Sequence, residues 1–380
     1  MSAKPPIRVG ILGLGLGALL TIPYVARDRR FRIVAAADPR TEATEAFEAA
    51  IGGRAYRTIE ELSEDREVEL VYVSTPHFLH HRHALAAMAA GKHVLVEKPL
   101  ARNTQEGAEI VEAAAQRGLR AFYGHTHAYD LPIREMARVV NSGALGRLGA
   151  IVTLNYTDMV YRPRAEWELD PMTSGGTVLI QAPHQVDIAR AIASSPVSRV
   201  SGWSAALDPE RTILSMHTAL LEFENGAAAT LVFSGKGHFD SARWVGWVGE
   251  SGERRDPLTH QRTWQSYLER GESAEADARN ARRIGPRGLP LVPPADRNNE
   301  AFGVTIVSCA NGDIRNTRAG LVIDEGARRR FVRLATESGR DAMLDDVYRT
   351  MRLDDRPVID ANWGLETLRI CAKLERAVGT

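Results

Sequence analysis

Lys98 stands in the run Val94-Leu95-Val96-Glu97-Lys98-Pro99-Leu100, where an apolar strand reaches its carboxyl end. Ligands of open α/β sheets bind at that end of the strands. An ammonium there, beside a substrate hydroxyl, can stabilise a developing alkoxide or relay its proton. Most lysines are surface ion pairs, but Pro99 fixes the backbone at this point and argues for a positioned side chain. Upstream, Gly13-x-Gly15-x-x-Ala18 follows one strand and opens a helix. The two glycines allow a tight turn and close approach of backbone N–H groups to a pyrophosphate, whose charge the helix N-terminus stabilises. Together the two features point to a nicotinamide-dependent oxidoreductase.

Asp38 comes 25 residues after Gly13, at the end of the second apolar run. It is placed to accept hydrogen bonds from an adenosine ribose diol, and its charge opposes a 2′-phosphate, which favours NAD. Arg40 is a residue type that holds such a phosphate, so NADP stays open. Gly13, Gly15, Leu16, Asp38, Arg40, Thr75, Pro76, His80, Glu97 and Lys98 form the expected cofactor-side set. His77, His80, His81 and His83 invite a zinc reading, but no cysteine is near and His80 and His81 cannot share a helix face, so no metal is expected.

His184 and Asp187 lie at i and i+3 after Gln181-Ala182-Pro183, downstream of Gly175-Gly176. An acid one helical turn away orients an imidazole and sets its tautomer. His184 is therefore the expected acid/base partner of Lys98. Arg162-Pro163-Arg164 offers two guanidinium forks, which suit a carboxylate. Arg162, Arg164, Gln181, Asp187 and His125 make up the expected substrate set, with His127 as another residue that either lines a cleft or caps a strand.

Alternating elements have to position these residues. Strands are expected at Arg8–Leu12, Arg32–Ala37, Val68–Ser74, His93–Val96 and Arg120–Gly124, with helices between them. That alternation predicts a doubly wound parallel Rossmann sheet over residues 1–125. Leu148–Tyr156, His217–Phe223, Ala227–Ser234 and Val304–Cys309 read as strands. Asn225-Gly226 and Asn311-Gly312 read as type I′ hairpin turns. Residues 126–380 are thus expected to form an α+β substrate and oligomerisation domain with a large, mostly antiparallel sheet. Residues 250–300 read as a polar surface excursion of low local order, and Trp363–Ala377 as a closing amphipathic helix.

Composition sets the bounds. The chain has 380 residues, too many for one ordinary core, and 48 basic against 48 acidic residues. That balance gives no argument for nucleic acid or a membrane surface as partner. Two cysteines form neither a disulfide framework nor a zinc quartet, and no apolar run is long enough to span a membrane. A cytoplasmic location is expected.

These motifs resemble the Gfo/Idh/MocA oxidoreductase family. The resemblance rests on the Gly-rich turn, Thr75-Pro76-x-x-x-His80, Ala89-x-Gly91-Lys92-His93-Val94-Leu95-Val96-Glu97-Lys98-Pro99, and the Gly-Gly segment leading to His184 and Asp187. It implies Lys98 and His184 as the central catalytic pair, and a C-terminal sheet that mediates a homodimer or homotetramer. Sugar and inositol dehydrogenases of the family usually carry an Asp four residues before the His, where this chain has Ile180. The Gln181-Ala182-Pro183-His184-Gln185 sequence and the run from Phe302 through Cys309 to Arg315 instead resemble a branch that includes 4,5-dihydroxyphthalate (phthalate 4,5-cis-dihydrodiol) dehydrogenases. The implied reaction is NAD(P)-dependent oxidation of a small, acidic carbinol such as a carboxylated cis-dihydrodiol. A sugar or cyclitol dehydrogenase, an NAD-using glycoside hydrolase and a non-catalytic dinucleotide sensor are the rival readings.

Overall fold

The computed structural model describes residues 4–269, 275, 277–278, 280, 283–285, 288–295 and 297–375. They divide into two compact units. The first takes the described residues up to His125 together with those of Asp277–Pro294 and Met343–Leu368; the second takes those of Thr126–Ala276, Ala295–Ala342 and from Arg369 onward. The division therefore departs from a single cut after residue 125.

The first unit is a parallel sheet of six strands: β1 (Ile7–Leu12), β2 (Phe31–Ala37), β3 (Arg54–Tyr56), β4 (Leu70–Val73), β5 (His93–Val96) and β6 (Ala121–Tyr123). Their order is β3-β2-β1-β4-β5-β6. β1, β4 and β5 are almost wholly buried, as the unbroken apolar runs Val-Gly-Ile-Leu, Leu-Val-Tyr-Val and Val-Leu-Val require of strands covered on both faces. The order reverses between β1 and β4, so the carboxyl ends of those strands flank the switch point where such sheets bind ligands.

The later segments join this unit through specific contacts. Arg352 donates to Glu69 (3.0 Å) and to the Pro5 carbonyl (2.9 Å), and Phe122 bridges to Asp360. Gly364 packs so closely on Tyr123 that a Cβ there would lie 2.8 Å from the ring. The helix expected at Trp363–Ala377 runs Ala361–Glu375; residues 376 and 377 lie outside the described set.

The second unit holds an eight-stranded sheet: β7 (Leu148–Tyr156), β8 (Val197–Ala205), β9 (Met216–Phe223), β10 (Ala228–Ser234), β11 (Val304–Cys309), β12 (Gly312–Thr317), β13 (Gly320–Glu325) and β14 (Arg328–Arg333). Its order is β14-β13-β12-β11-β7-β10-β9-β8, with β7 and β10 parallel and the remaining pairs antiparallel. In β9, residues His217, Ala219, Leu221 and Phe223 alternate inward, as period-2 patterning demands. They meet Ala229, Leu231 and Phe233 of β10 and the helix Ala182–Ala193 in one core.

Both expected hairpins form, but not as type I′ turns. The β9–β10 connection spans four residues and only Gly226 of its Asn-Gly pair has positive φ (80°). Around Asn311-Gly312 neither residue is left-handed; Ala310 and Asn311 bond instead to the Arg147 and Leu145 carbonyls.

The stretch 250–300 is more ordered than its composition suggests. Thr259–Glu269 is helical, and Trp264 and Tyr267 pack on Tyr161 at ring separations of 3.8 and 5.0 Å. Residues 270–274, 276, 279, 281–282, 286–287 and 296, which also fall in that stretch, lie outside the described set. Among the described residues no helix is long and apolar enough to cross a membrane.

Candidate active site

The glycine turn separates what the fold needs from what a ligand needs. Gly13 has φ +88°, and a Cβ on it would lie 2.9 Å from Thr75 Cγ2 and 3.0 Å from the Ser74 carbonyl. The turn itself therefore demands glycine at 13. Gly15 has an ordinary φ of −86°, and a Cβ there would meet nothing closer than the Ser74 carbonyl at 3.9 Å. No packing reason requires glycine at 15. It sits at the N-terminus of helix Leu16–Arg27, which has no side-chain cap and no acidic residue in its first turn. Uncapped N–H groups, a positive dipole end and a missing Cβ together fit a phosphate group. Leu16, 40% exposed, follows directly.

Asp38, at the end of β2, is buried and ties the turn together. Its Oδ2 accepts from the Leu14 amide (2.8 Å), and its Oδ1 accepts from the Arg40 amide (2.9 Å) and Arg40 Nε (3.0 Å). Arg40 continues to the carbonyls of Leu14 (2.9 Å) and Ile284 (3.2 Å). The two residues weighed against each other in the sequence are thus an ion pair.

At the end of β5, Glu97 Oε1 accepts from the Tyr72 hydroxyl (2.5 Å) and Oε2 from the Lys98 amide (3.2 Å). Tyr72 in turn contacts Thr21 Oγ1 at 3.0 Å. Glu97 therefore anchors the backbone of Lys98, which precedes a cis peptide to Pro99 and is half-buried. His80 was expected to touch the cofactor. Instead its Nδ1 lies 2.8 Å from the Pro99 carbonyl and its Nε2 2.8 Å from the Thr75 carbonyl. Complete burial holds its pKa down near 4, so the ring is neutral and its single N–H serves one carbonyl at a time. Its place is to clamp the Thr75-Pro76 loop to the Lys98–Pro99 loop. The other histidines of that cluster are spent separately: His81 on Glu109 (2.6 Å) and His83 on Thr75 Oγ1 (3.0 Å). His125 is buried just beyond β6, after a cis peptide from Gly124.

In the second unit, helix Ala182–Ala193 begins at Gln181, and Gln181, His184, Gln185 and Asp187 are all buried. The Gln185 side-chain amide donates through Nε2 to the Val232 carbonyl (3.0 Å), and its Oε1 meets His217 Nε2 (2.9 Å). His217 Nδ1 reaches Thr177 Oγ1 at 3.2 Å, so β9 and the Gly176–Ile180 turn hold this helix from behind. Asp187 lies 3.6 Å from Arg190. The Oε1 of Gln181 is buried and has no hydrogen-bond partner among the described residues.

The residue packed against His184 is one that sequence reasoning left undecided. The His127 ring stands at 63° to it with centroids 4.6 Å apart, and Phe302 lies 4.9 Å from His184. His127 Nδ1 is 2.7 Å from Asp130 Oδ2. The signal was legible: His127-x-x-Asp130 repeats the His-x-x-Asp spacing that singled out His184.

The two expected guanidinium forks are largely spent within the chain. Arg164 donates through Nε and Nη2 to the Met159 carbonyl (3.1 and 3.0 Å) and through Nη1 to Glu168 (2.9 Å), leaving no free fork. Arg162 donates through Nε to Asp158 (2.8 Å) and through Nη2 to Thr157 (2.9 Å). Asp158, flanked by Arg162 and Arg255, is held ionised well below the usual carboxylate range despite its burial.

Comparison with known proteins gives matches along the chain. The family described as "Oxidoreductase family, NAD-binding Rossmann fold" (GFO_IDH_MocA) matches residues 7–125, and the GFO/IDH/MocA C-terminal domain matches residues 133–253. A 1-carboxy-3-chloro-3,4-dihydroxycyclohexa-1,5-diene dehydrogenase of Comamonas testosteroni is 33% identical over 376 residues, 97% of this chain and 94% of that protein. An NADP(+) scyllo-inositol 2-dehydrogenase of Bacillus subtilis is 28% identical over 217 residues, 56% of this chain and 59% of that protein. A solved structure from Bordetella bronchiseptica RB50 superposes with a TM-score of 0.91 at 31% identity, covering 98% of this chain and 97% of the other.

Proposed function

Because the chain belongs to the GFO/IDH/MocA oxidoreductase family, we propose that it is an NAD(P)-dependent dehydrogenase of a carboxylated cis-dihydrodiol, such as phthalate 4,5-dihydrodiol leaving as 4,5-dihydroxyphthalate. The observation that carries the substrate class is the Comamonas relative, named for a carboxylated dihydroxycyclohexadiene and aligned over 97% of this chain. Ile180 supports it, since a buried isoleucine in place of an acid offers no hydrogen bond to a polyol.

The bound nicotinamide supplies the hydride acceptor. Gly15 and the N-terminus of helix Leu16–Arg27 receive the pyrophosphate, and Asp38 orders the turn around it. Lys98 and His184 are assigned to the reacting hydroxyl: one takes its proton as the C–H hydride leaves, and the other stabilises the oxygen. The ketone so formed tautomerises, the remaining sp³ ring carbon losing its proton and the oxygen gaining one, to give a catechol. Aromatisation draws the reaction forward. Arg162 is assigned to the substrate carboxylate through Nη1, while Arg164 shapes the loop that carries it.

The outer face of the eight-stranded sheet suits contact with a second copy of the chain. Leu220, Thr230, Val152 and Ile306 stand side by side across β9, β10, β7 and β11, with Trp203 exposed on β8. Light scattering of the purified protein tests that homo-oligomer.

The test of function is a panel of carboxylated cis-dihydrodiols, neutral sugars and cyclitols at matched concentration, followed by absorbance of the reduced nicotinamide. Preferential oxidation of the carboxylated dihydrodiols is expected. Faster oxidation of scyllo-inositol or a sugar hands the reading to the cyclitol and sugar class, which the Bacillus relative favours.

A further inference from the structure

We propose that His127, Asp130 and Glu300 form a buried, proton-sharing relay that positions His184 and sets its protonation, an inference that rests on the catalytic assignment of His184 above. All four residues lie in the second unit, and each is no more than 6% exposed.

The relay begins at His127. Its Nδ1 lies 2.7 Å from Asp130 Oδ2, a contact that orients the ring and, with the carboxylate accepting, keeps a proton on Nδ1. That ring packs edge-to-face on His184, and Phe302 holds both, at 4.8 Å from His127 and 4.9 Å from His184. Behind it, carboxylate oxygens of Asp130 and Glu300 lie within 4.8 Å and the two side chains are hydrogen-bonded. Two carboxylates in such contact resist ionising together, so a proton is held between them until the pH nears neutrality.

Glu300 is held in turn. Its Oε1 accepts from Ser338 Oγ (2.8 Å) and its Oε2 from the Gly339 amide (2.7 Å). Arg297 and Arg340 stand 3.5 and 3.8 Å away, and Arg134 adds positive charge on the side of Asp130. Burial, reinforced for Glu300 by the neighbouring Asp130 charge, raises both carboxyls to about 7.

A structural staple needs no ionisable pair. Burying a second carboxyl beside the first costs free energy that an amide or an apolar residue of similar volume would not. What the pair supplies is a charge that changes near neutral pH. As pH rises through about 7 the pair gives up its protons and gains negative charge. That added negative charge behind His127 favours the imidazolium forms of His127 and His184. The pair is coupled to the proton that His184 takes from the substrate, with Asp130 and Glu300 acting as positioning residues.

The experiment is an NMR titration of the histidine ring nitrogens in ¹⁵N-histidine protein, for wild type, Asp130→Asn, Glu300→Gln and Glu300→Asp. In wild type, the His127 and His184 signals are expected to show an inflection near 7 from the carboxyl pair, with His127 protonated on Nδ1. Glu300→Gln should abolish that inflection while the His127 tautomer persists. Glu300→Asp should restore it. Asp130→Asn should mix the His127 tautomers and lower kcat by roughly 10- to 100-fold at little change in KM, as for loss of an orienting partner. Unchanged His127 and His184 titrations in Glu300→Gln, or an unchanged His127 tautomer in Asp130→Asn, would overturn the relay. Wild-type turnover by His184→Ala would instead sink the catalytic assignment of His184, and the nitrogen titrations separate that failure from a failure of the relay.

Discussion

Arg40 closes on Asp38, its Nε 3.0 Å from Oδ1 and its Nη2 3.2 Å from Oδ2, so the acid beside the glycine turn is already ion-paired. The carboxylate keeps its hydrogen bond from the Leu14 amide, and the guanidinium is fixed where it is by the carbonyls of Leu14 and Ile284. Removing Asp38 therefore does two things: it loosens the turn and releases a fork suited to a 2′-phosphate. Asp38→Ser should weaken NAD by roughly ten-fold or more, the worth of a charge-assisted hydrogen bond, and shift preference toward NADP. Calorimetric titration with both dinucleotides checks this. An NADP preference already present in the wild type, unaltered by the change, would reverse the roles assigned to these two residues.

Gly13 and Gly15 should fail differently. Gly13→Ala places a Cβ 2.9 Å from Thr75 Cγ2 at a positive φ, so both stability and dinucleotide affinity should fall. Gly15→Val should fold normally, because the structure leaves room for its Cβ, yet lose dinucleotide binding. Thermal melting with and without NAD separates the two. A Gly15→Val protein stabilised by NAD as much as wild type would mean that the pyrophosphate does not lie over Gly15.

Lys98 is anchored through its own backbone by Glu97, and Glu97 by Tyr72. Lys98→Ala should cost about 10²-fold or more in kcat with dinucleotide affinity nearly intact, since the lost interaction is strongest in the transition state. Tyr72→Phe should reproduce a smaller part of that loss by freeing Glu97. Steady-state kinetics with a saturating dinucleotide measure both, and a Lys98→Ala enzyme with wild-type kcat removes this lysine from the chemistry.

Much of the first unit was legible because its elements depend on local signals. Gly13-x-Gly15 follows buried β1, and Asp38 ends β2, so residue type and spacing alone placed them. The second unit was legible only where alternation was clean, as in β9 and β10. β8 and β14 escaped notice because their outward residues mix Ser, Arg and Trp in one strand and Arg with Phe in the other, which blurs period-2 patterning. At the site, sequence supplied the side chains but not their partners. Arg162 and Arg164 read as open forks, although Asp158 and Glu168, each four residues away, were there to occupy them. His80 read as a cofactor contact because its two backbone acceptors, Thr75 and Pro99, come together only in the folded sheet.

His217 carries the last prediction. It is completely buried, with Nε2 on Gln185 Oε1 and Nδ1 on Thr177 Oγ1, and burial holds its pKa near 3. An unfolded histidine titrates near 6.5. Between those values the unfolded chain binds a proton that the folded unit refuses. Its contribution is therefore fully present above about 6.5 and is lost as pH falls toward 3, by about 1.4 kcal/mol per pH unit. Asp130 and Glu300 work in the opposite sense: their folded pKa values are raised to about 7, so from about 4 to 7 they lose stability as pH rises. The net slope of wild type mixes the two, and the comparison with His217→Gln isolates the histidine. The variant should be less stable than wild type at pH 7.5, because its side chain cannot satisfy Gln185 and Thr177 in the same geometry. That deficit should shrink steadily between pH 6.5 and 4.5. Hydrogen exchange of the β9 and β10 amides reads the stability of this unit directly, without treating the two units as one transition. A deficit that stays constant across that pH range would show that His217 is not held neutral by burial.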